Sequence, residues 1–247
     1  MRYLVLSDIH SNIDALEAAL EDARGEPWER LLVLGDLVGY CAEPNAVVER
    51  IRSMSPEAII RGNHDKAAAG FDDAEEFNLV ARQAVEWTAS VLTPENRNYL
   101  ASLPAGPIAV DRLVEICHGA PDDEDDYVVS EESIVRALKV AARALCVFGH
   151  THIGVIYGQD EMGPVLLGPE AEGSSRIRLL AGRRYLFNPG SVGQPRDADP
   201  RASYGLVDTS SMLVEIHRVP YAIERAQARI LEAGLPAVLA DRLAVGR

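Results

Sequence analysis

Continuous apolar runs that end in polar residues alternate with amphipathic stretches over the first 65 positions. The runs RYLVLSD (2–8), RLLVLGD (30–36) and EAIIRGNHD (57–65) have the character of parallel strands that are buried on both faces. After the first run, Asn12 can cap a helix with apolar residues at helical spacing, and EPNAVVERIRS (43–53) repeats that helical pattern. We therefore predict a parallel sheet with right-handed crossovers.

Polar side chains follow each of the three predicted strands. Asp8, Asp36 and Asn63 are separated by 28 and 27 residues, about one strand–helix unit each. Ligand sites in open α/β sheets lie beyond the carboxyl ends of the strands. The spacing therefore predicts that these three side chains belong to one site.

The remainder of the chain changes from helical to strand-rich patterns. Residues 72–103 are helical in character with a break at Pro94, and residues 221–243 predict two amphipathic helices broken at Gly234 and Pro236. The predicted strands between these regions lie in PIAVDRLVEICH (107–118, a hairpin turning at Asp111 and Arg112), ALCVFGHTHIGVIYG (144–158, two strands around a histidine pair), RRYLFNPGS (183–191), ASYGLVDTS (202–210) and SMLVEIHRV (211–219). No low-complexity linker divides the sequence, so we expect one domain over residues 1–247.

Composition limits the classes of function. Of the 247 residues, 47% are hydrophobic and 25% are charged, as in ordinary globular proteins, and the net charge is −14. This charge argues against bulk attraction to nucleic acid or to anionic membranes, although screening lets a local site oppose it. The three cysteines are too scattered for a disulfide framework, and we expect Cys117 and Cys146 to be small buried hydrophobic residues. With no signal-peptide pattern and no long apolar segment, a cytoplasmic location is expected.

Five of the six histidines lie at or just beyond the ends of apolar runs. Asp8 and His10 are two positions apart, as are His150 and His152, so on an extended backbone each pair would point to one side. Asn63 and His64 are adjacent and would diverge. Asn63 could then face a central ligand while His64 faces another target beside it.

These residues form a candidate set of metal ligands. Seven side chains exceed the needs of one ion but suit two ions that share a carboxylate. Imidazole and carboxylate ligands favour manganese, iron or zinc over calcium or magnesium, and the absence of thiolates argues against a structural zinc site. The seven candidates are Asp8, His10, Asp36, Asn63, His118, His150 and His152.

The order of five motifs resembles that of the calcineurin-like metallophosphoesterase superfamily. The motifs are SDIH (7–10), GDLVGY (35–40), GNHD (62–65), CHGAP (117–121) and GHTH (149–152). A further stretch, FNPGSVGQPRD (187–197), is similar to the small bacterial and archaeal phosphodiesterase branch of that superfamily. The resemblance implies a four-layer α/β/β/α sandwich in which two mixed sheets are flanked by helices.

The resemblance also implies roles for individual residues. Asp8, His10 and His152 would bind one metal, Asn63, His118 and His150 would bind the other, and Asp36 would bridge them. His64 would stabilise charge on the scissile phosphate or protonate the leaving oxygen, and Asp65 would orient His64 through a hydrogen bond. The expected substrate contacts are Arg196 and Asn63.

The function implied is hydrolysis of a phosphodiester or a nucleotide-type substrate by a hydroxide that bridges two divalent ions. Manganese is the expected ion, with zinc or iron as alternatives. Two such ions and their two carboxylates and hydroxide would leave a local charge of about +1, which can attract a small phosphorylated substrate despite the charge of the whole chain. The alternatives are a phosphomonoesterase, of the protein phosphatase or dinucleoside polyphosphate hydrolase type, and a non-catalytic scaffold. A scaffold should lack ligands or His64, and none is missing.

Weaker features have plainer interpretations. The acidic stretch PDDEDDYVVSEES (121–133) is expected to be a solvated loop, with a gate over the cleft as the alternative. Arg61 is expected to pair with an acidic neighbour, and His217, far from any motif, is expected to be structural. The closing helices are expected to cover the sheet, with a contact between identical subunits as the alternative.

Overall fold

The computed structural model describes residues 1–160, 163–168 and 175–247. Within these ranges it contains two six-stranded mixed sheets. The first sheet has the order β3-β2-β1-β11-β12-β9 and consists of β1 (Arg2–Leu6), β2 (Arg30–Val33), β3 (Ala58–Ile59), β9 (Ser175–Arg178), β11 (Ala202–Asp208) and β12 (Leu213–Val219). The second has the order β4-β5-β6-β10-β7-β8 and consists of β4 (Ile108–Ala109), β5 (Val114–Ile116), β6 (Leu145–Val147), β7 (Gly154–Asp160), β8 (Gly163–Gly168) and β10 (Tyr185–Pro189).

Eight helices accompany the sheets in the described ranges. They are α1 (Ile13–Ala23), α2 (Pro44–Ser53), α3 (Asn63–Ala69), α4 (Leu79–Val91), α5 (Pro94–Ser102), α6 (Glu131–Val140), α7 (Ile223–Glu232) and α8 (Ala237–Val245). The predicted Asn12 cap is confirmed, because its side chain accepts a hydrogen bond from the backbone N–H of Ala15. None of the helices in this part of the chain combines the length and hydropathy that a membrane crossing requires.

The strands alternate their side chains between two apolar layers. In β1, Leu4 and Leu6 pack towards α1 and α2, whereas Tyr3 and Val5 pack between the two sheets. On the far side of the second sheet, Cys146 packs against α6 in a third apolar layer. The four-layer α/β/β/α sandwich is therefore confirmed. Cys117 and Cys146 are both buried apolar-layer residues, as predicted.

The parallel pairing runs only through part of each sheet. β1, β2 and β3 pair in parallel, and so do β5, β6 and β10, while the other pairs are antiparallel. The carboxyl ends of the parallel strands of both sheets point to one end of the sandwich. This arrangement explains why motifs from the two halves of the chain can meet there.

Three local predictions were incomplete or wrong. Strands β8 and β9 were not predicted. The first helix after residue 72 begins only at Leu79, where the Asn78 side chain caps it. Asn63 and His64 are not on extended backbone, because they open helix α3.

Candidate metal centre

Most of the seven candidate ligands have an unusual backbone conformation. Asp8, His10, Asp36, His150 and His152 have φ angles of 52°, 49°, 51°, 66° and 60°, in the left-handed region that non-glycine residues rarely adopt. The expectation that Asp8 with His10 and His150 with His152 converge from extended backbone was therefore wrong. The pairs do converge, but they do so from tight left-handed turns at the ends of β1 and β6.

Hydrogen bonds between separate loops hold these turns. The backbone N–H of Asp8 donates to Gly35 O at 3.1 Å, and that of His10 donates to Asp36 O at 2.9 Å. The N–H of His150 donates to the Asp8 carboxylate at 3.1 Å. Left-handed residues cost about 1–3 kcal/mol each and persist only where the surroundings over-determine them. The fold thus keeps five costly conformations at one place, as is common for a functional site.

The first cluster contains Asp8, His10, Asp36 and His152, whose candidate ligand atoms all lie within 4.8 Å of one another. His10 Nδ1 lies 3.0 Å from Val38 O, and His152 Nδ1 lies 2.6 Å from Gln194 O. A carbonyl oxygen only accepts hydrogen bonds, so each Nδ1 bears the proton. The two Nε2 atoms, 3.0 Å apart, then face each other with lone pairs and no proton between them.

The second cluster repeats this arrangement with Asp36, His118 and His150. His118 Nδ1 donates to Leu34 O at 2.7 Å, and His150 Nε2 donates to Asp125 O at 3.2 Å. The remaining nitrogens, His118 Nε2 and His150 Nδ1, lie 3.1 Å apart. When both rings are neutral, as metal ligands must be, neither retains a proton for that contact, so a second pair of lone pairs is opposed.

Asn63 adds a buried oxygen without a hydrogen-bond partner. Its Oδ1 has none among the described residues, and an unsatisfied buried acceptor costs about 1–3 kcal/mol. Gly62, just before it, approaches Asp36 so closely that a Cβ there would lie 2.1 Å from Asp36 Oδ1. Opposed imidazole lone pairs, two buried carboxylates and a free amide oxygen together fit divalent cations.

Burial and mutual attraction set the charges of these groups. Burial lowers the pKa of His150 to about 3 and holds the pKa of His10 and His152 well below the usual range, which keeps those imidazoles neutral. Burial would also lower the pKa of His118, but the Asp36 carboxylate 3.5 Å away outweighs it and raises that pKa. In the protein without metal, a protonated His118 thus stabilises the Asp36 carboxylate, and a metal ion that binds His118 would have to displace that proton.

His64 lies beside both clusters. Its backbone N–H donates to Asp36 Oδ1 at 2.9 Å, and its ring packs between Tyr40 and Phe77 at centroid distances of 4.4 and 4.8 Å. Its Nδ1 is buried without a hydrogen-bond partner in the described ranges. Burial lowers the pKa of His64 to about 4, so the free imidazole is neutral.

The predicted hydrogen bond between the His64 ring and the Asp65 carboxylate is not among the hydrogen bonds of the described residues. The Asp65 carboxylate accepts instead from the backbone N–H groups of Val38, at 3.1 Å, and Gly62, at 3.0 Å. Asp65 occupies the third position of α3, where a carboxylate bonds back to the residue that precedes the helix. It fixes the loop after β2 against the start of α3 and so positions His64 only through the backbone.

Arg196 lies close to the centre, as predicted for a substrate contact, although that role stays a prediction. Its Nη2 donates to Tyr40 Oη at 3.2 Å and to Gln194 Oε1 at 3.1 Å. The Nε atom is buried and has no partner among the described residues. This guanidinium therefore places positive charge beside the first cluster.

Three aromatic residues near the centre were not identified from sequence. Tyr40 and Phe77 enclose the His64 ring, and Tyr127 stacks on His150 at a centroid distance of 3.9 Å. Tyr40 stands within the GDLVGY motif, which was the one available signal. Phe77 lies in the stretch predicted to be helical and Tyr127 in the acidic stretch, and neither pattern marks an aromatic side chain for the site.

The acidic stretch after His118 is more than a solvated loop. Glu124 pairs with Arg61 at 2.8 Å, which confirms the prediction for Arg61, and Asp125 pairs with Lys66. The Asp125 carbonyl also accepts from His150. The loop thus forms one wall of the site. His217 stacks on Tyr204 in the first sheet, outside the site, as predicted.

Comparison with known proteins agrees with this geometry. The sequence profile of the calcineurin-like phosphoesterase superfamily domain matches residues 1–212, so the chain belongs to this family. An uncharacterised protein of Methanocaldococcus jannaschii is 36% identical over 248 residues, covering 98% of this chain and 97% of that protein. Phosphodiesterase YfcE of Escherichia coli is 26% identical over 227 residues, covering 87% of this chain and 91% of that enzyme.

The crystal structure of a metallophosphoesterase from Sphaerobacter thermophilus has the same fold. It superposes with a TM-score of 0.87 at 38% sequence identity, covering 100% of this chain and 99% of the other. With the family membership and the buried cluster of histidines and aspartates, this likeness makes the protein a metal-dependent phosphoester hydrolase.

Proposed function

We propose that the two clusters hold a pair of divalent transition-metal ions and that the protein hydrolyses phosphodiesters. Asp8, His10 and His152 would hold one ion, and Asn63, His118 and His150 the other, with Asp36 shared between them. The single observation that supports this best is the pair of unprotonated Nε2 atoms of His10 and His152, which face each other 3.0 Å apart. Manganese is the proposed ion, since this mixed ligand set suits it and harder ions such as magnesium prefer oxygen ligands.

When bound, such a pair would lower the pKa of a water to about 7 and offset the charge of the phosphate. The protein's own groups would orient the ligands, bind the phosphate and assist the leaving oxygen. Backbone carbonyls at Val38, Gln194 and Leu34 fix the tautomers of three histidines through Nδ1. The Arg196 guanidinium would bind a phosphate oxygen.

His64 would act on the leaving oxygen. It is next to Asp36 but is not needed as a ligand, and its ring is held in place by Tyr40 and Phe77. From this place the neutral ring can donate a hydrogen bond to the leaving oxygen, and it could give up a proton only if the bound phosphate first raised its pKa. Asp65 contributes by fixing the start of α3.

The preference for diesters is supported by the phosphodiesterase YfcE, which is related over most of this chain. We propose a small phosphorylated substrate, because the net charge of −14 does not favour binding to nucleic acid or to an anionic membrane. We also propose that the protein acts in the cytoplasm.

The test compares bis(p-nitrophenyl) phosphate with p-nitrophenyl phosphate, with metal-free protein to which Mn²⁺ is returned. We expect metal-dependent release of p-nitrophenol with a higher kcat/KM for the diester. His64→Gln should lower kcat by about 10²–10⁴-fold, the usual contribution of a proton donor, without loss of bound metal. A higher kcat/KM for the monoester would replace the diesterase proposal with a phosphomonoesterase, and no turnover of either compound would overturn both.

A further inference from the structure

A cleft opens from the second cluster towards the loop between α3 and α4. Its volume is about 180 Å³, and Asn63, His64 and His150 form its floor. A phosphate held at the metal centre would therefore direct one of its organic groups into this cleft. Pockets for drug-sized ligands measure about 300–1,000 Å³, so this one suits a small group.

The walls of the cleft combine aromatic rings with carboxylates. The rings are those of Tyr40, Phe77 and Tyr127, and the carboxylates are those of Asp72, Glu76 and Asp125. No lysine or arginine is among its lining residues in the described ranges. The guanidinium of Arg196 lies over the Tyr40 ring, 5.5 Å from its centroid, and is not itself among the lining residues.

Four carboxylates at the cleft, those of Asp72, Glu76, Glu124 and Asp125, face two cationic side chains, Lys66 and the Arg61 that pairs with Glu124. Lys66 pairs with Asp125 and lies 3.6 Å from Asp72, and it also lies 3.7 Å from Glu124. Glu76 is exposed at the rim and adds a further negative charge. The mouth of the cleft thus remains negative after its ion pairs are counted, which opposes polyanionic groups.

We infer, on the basis of the proposed function, that this cleft binds a small alcohol group that carries an ammonium cation, as part of a phosphodiester. An organic cation is attracted both by aromatic faces and by carboxylates. A second phosphate would meet Asp72, Glu76 and Asp125, so nucleoside polyphosphates are poor candidates. A neutral alkyl group would fit the rings but would not use the carboxylates.

Two phosphonates that differ only in charge test this inference. The compound 2-(trimethylammonio)ethylphosphonate and its neutral counterpart 3,3-dimethylbutylphosphonate have the same shape, and their P–C bonds resist hydrolysis. Their binding to the Mn²⁺-loaded protein is measured by calorimetry. We expect the cation to bind about tenfold more tightly, the size that a cation–π contact and one nearby carboxylate together provide.

Variants at one position locate the effect. Glu76→Gln should reduce the preference for the cation to about twofold, and Glu76→Lys should abolish it, because one charge at about 4 Å in water contributes a factor of about five. Glu75→Gln is the matched control, since Glu75 is an exposed neighbour that does not line the cleft. The preference should be unchanged in that variant.

The outcomes separate this inference from the proposed function. Equal affinity for the two phosphonates, in a protein that hydrolyses bis(p-nitrophenyl) phosphate, would overturn the inference alone. Tighter binding of the methylene phosphonate analogue of AMP would also overturn it, in favour of a nucleoside group. Failure of every phosphonate to bind, together with no hydrolysis of the diester, would overturn the proposed function itself.

Discussion

Replacing Gly193 by alanine should damage the first metal cluster from outside it. Gly193 lies in the loop between β10 and β11 and passes directly over the turn that contains Asp8 and His10. A Cβ at this position would lie 1.8 Å from Ile9 O and 2.5 Å from Ile9 C. Both contacts are with backbone, so no side-chain rotation can relieve them.

The size of the effect follows from the displacement that is needed. Ordinary contact begins at 3.4 Å, so the loop and the turn must separate by 1.6 Å (3.4 minus 1.8). That movement stretches the hydrogen bond from Gly193 N–H to Asp8 O, now 3.0 Å, and the one from Asn12 Nδ2 to Gly193 O, now 2.8 Å. Overpacking costs about 1–3 kcal/mol and each of the two hydrogen bonds about 1 kcal/mol, so we expect a loss of at least about 3 kcal/mol.

Two measurements check this prediction. For a chain of this size, a loss of about 3 kcal/mol should lower Tm by about 6–12 °C in scanning calorimetry. Displacement of the turn should also weaken Mn²⁺ binding by about 10–100-fold, the usual effect of disturbing groups that position ligands. Gly25→Ala is the control, because a Cβ there meets only Asp22 O at 3.4 Å. If Gly193→Ala matched wild type in Tm and in Mn²⁺ affinity, the reasoning that this loop holds the metal turn would be refuted.

Three further predictions concern the centre itself. Asp65→Asn should lower the free energy of unfolding by about 2 kcal/mol in urea denaturation, because the NH₂ group of asparagine would replace one of the two acceptor oxygens and leave a backbone N–H without an acceptor. An unchanged stability would contradict the role assigned to Asp65. Gly62→Ala should abolish metal-dependent turnover, because the new Cβ would lie 2.1 Å from Asp36 Oδ1; retained kcat would show that Asp36 tolerates displacement. Removal of metal with a chelator should raise amide exchange at residues 8–10 and 150–152, because opposed imidazoles lose the ions between them; identical exchange with and without Mn²⁺ would count against the ligand assignment.

The sequence predicted the parallel part of the fold well. Continuous apolar runs and the Asn12 cap are local signals, and they placed β1, α1, β2 and α2 within a few residues. Strand β9 gave no such signal, because Ser175–Arg178 contains two arginines at the edge of a sheet. Pairing with β12 creates that strand, and pairing over such a distance has no local pattern.

The identity of the site residues was predictable, but their geometry was not. The motifs pointed to the six histidines and aspartates that the structure brings together in the two clusters. The left-handed turns at Asp8 and His150 arise from hydrogen bonds to loops far away in the chain, so extended backbone was the natural but wrong expectation. For the same reason the sequence could not show that Asp65 would bond to Val38, which is 27 residues away.

Anomalous diffraction from crystals grown with Mn²⁺ would show directly whether the two clusters hold two metal ions. We expect two peaks, one between His10 Nε2 and His152 Nε2 and one between His118 Nε2 and His150 Nδ1, with Asp36 contacting both. A single peak, or peaks away from these nitrogens, would contradict it.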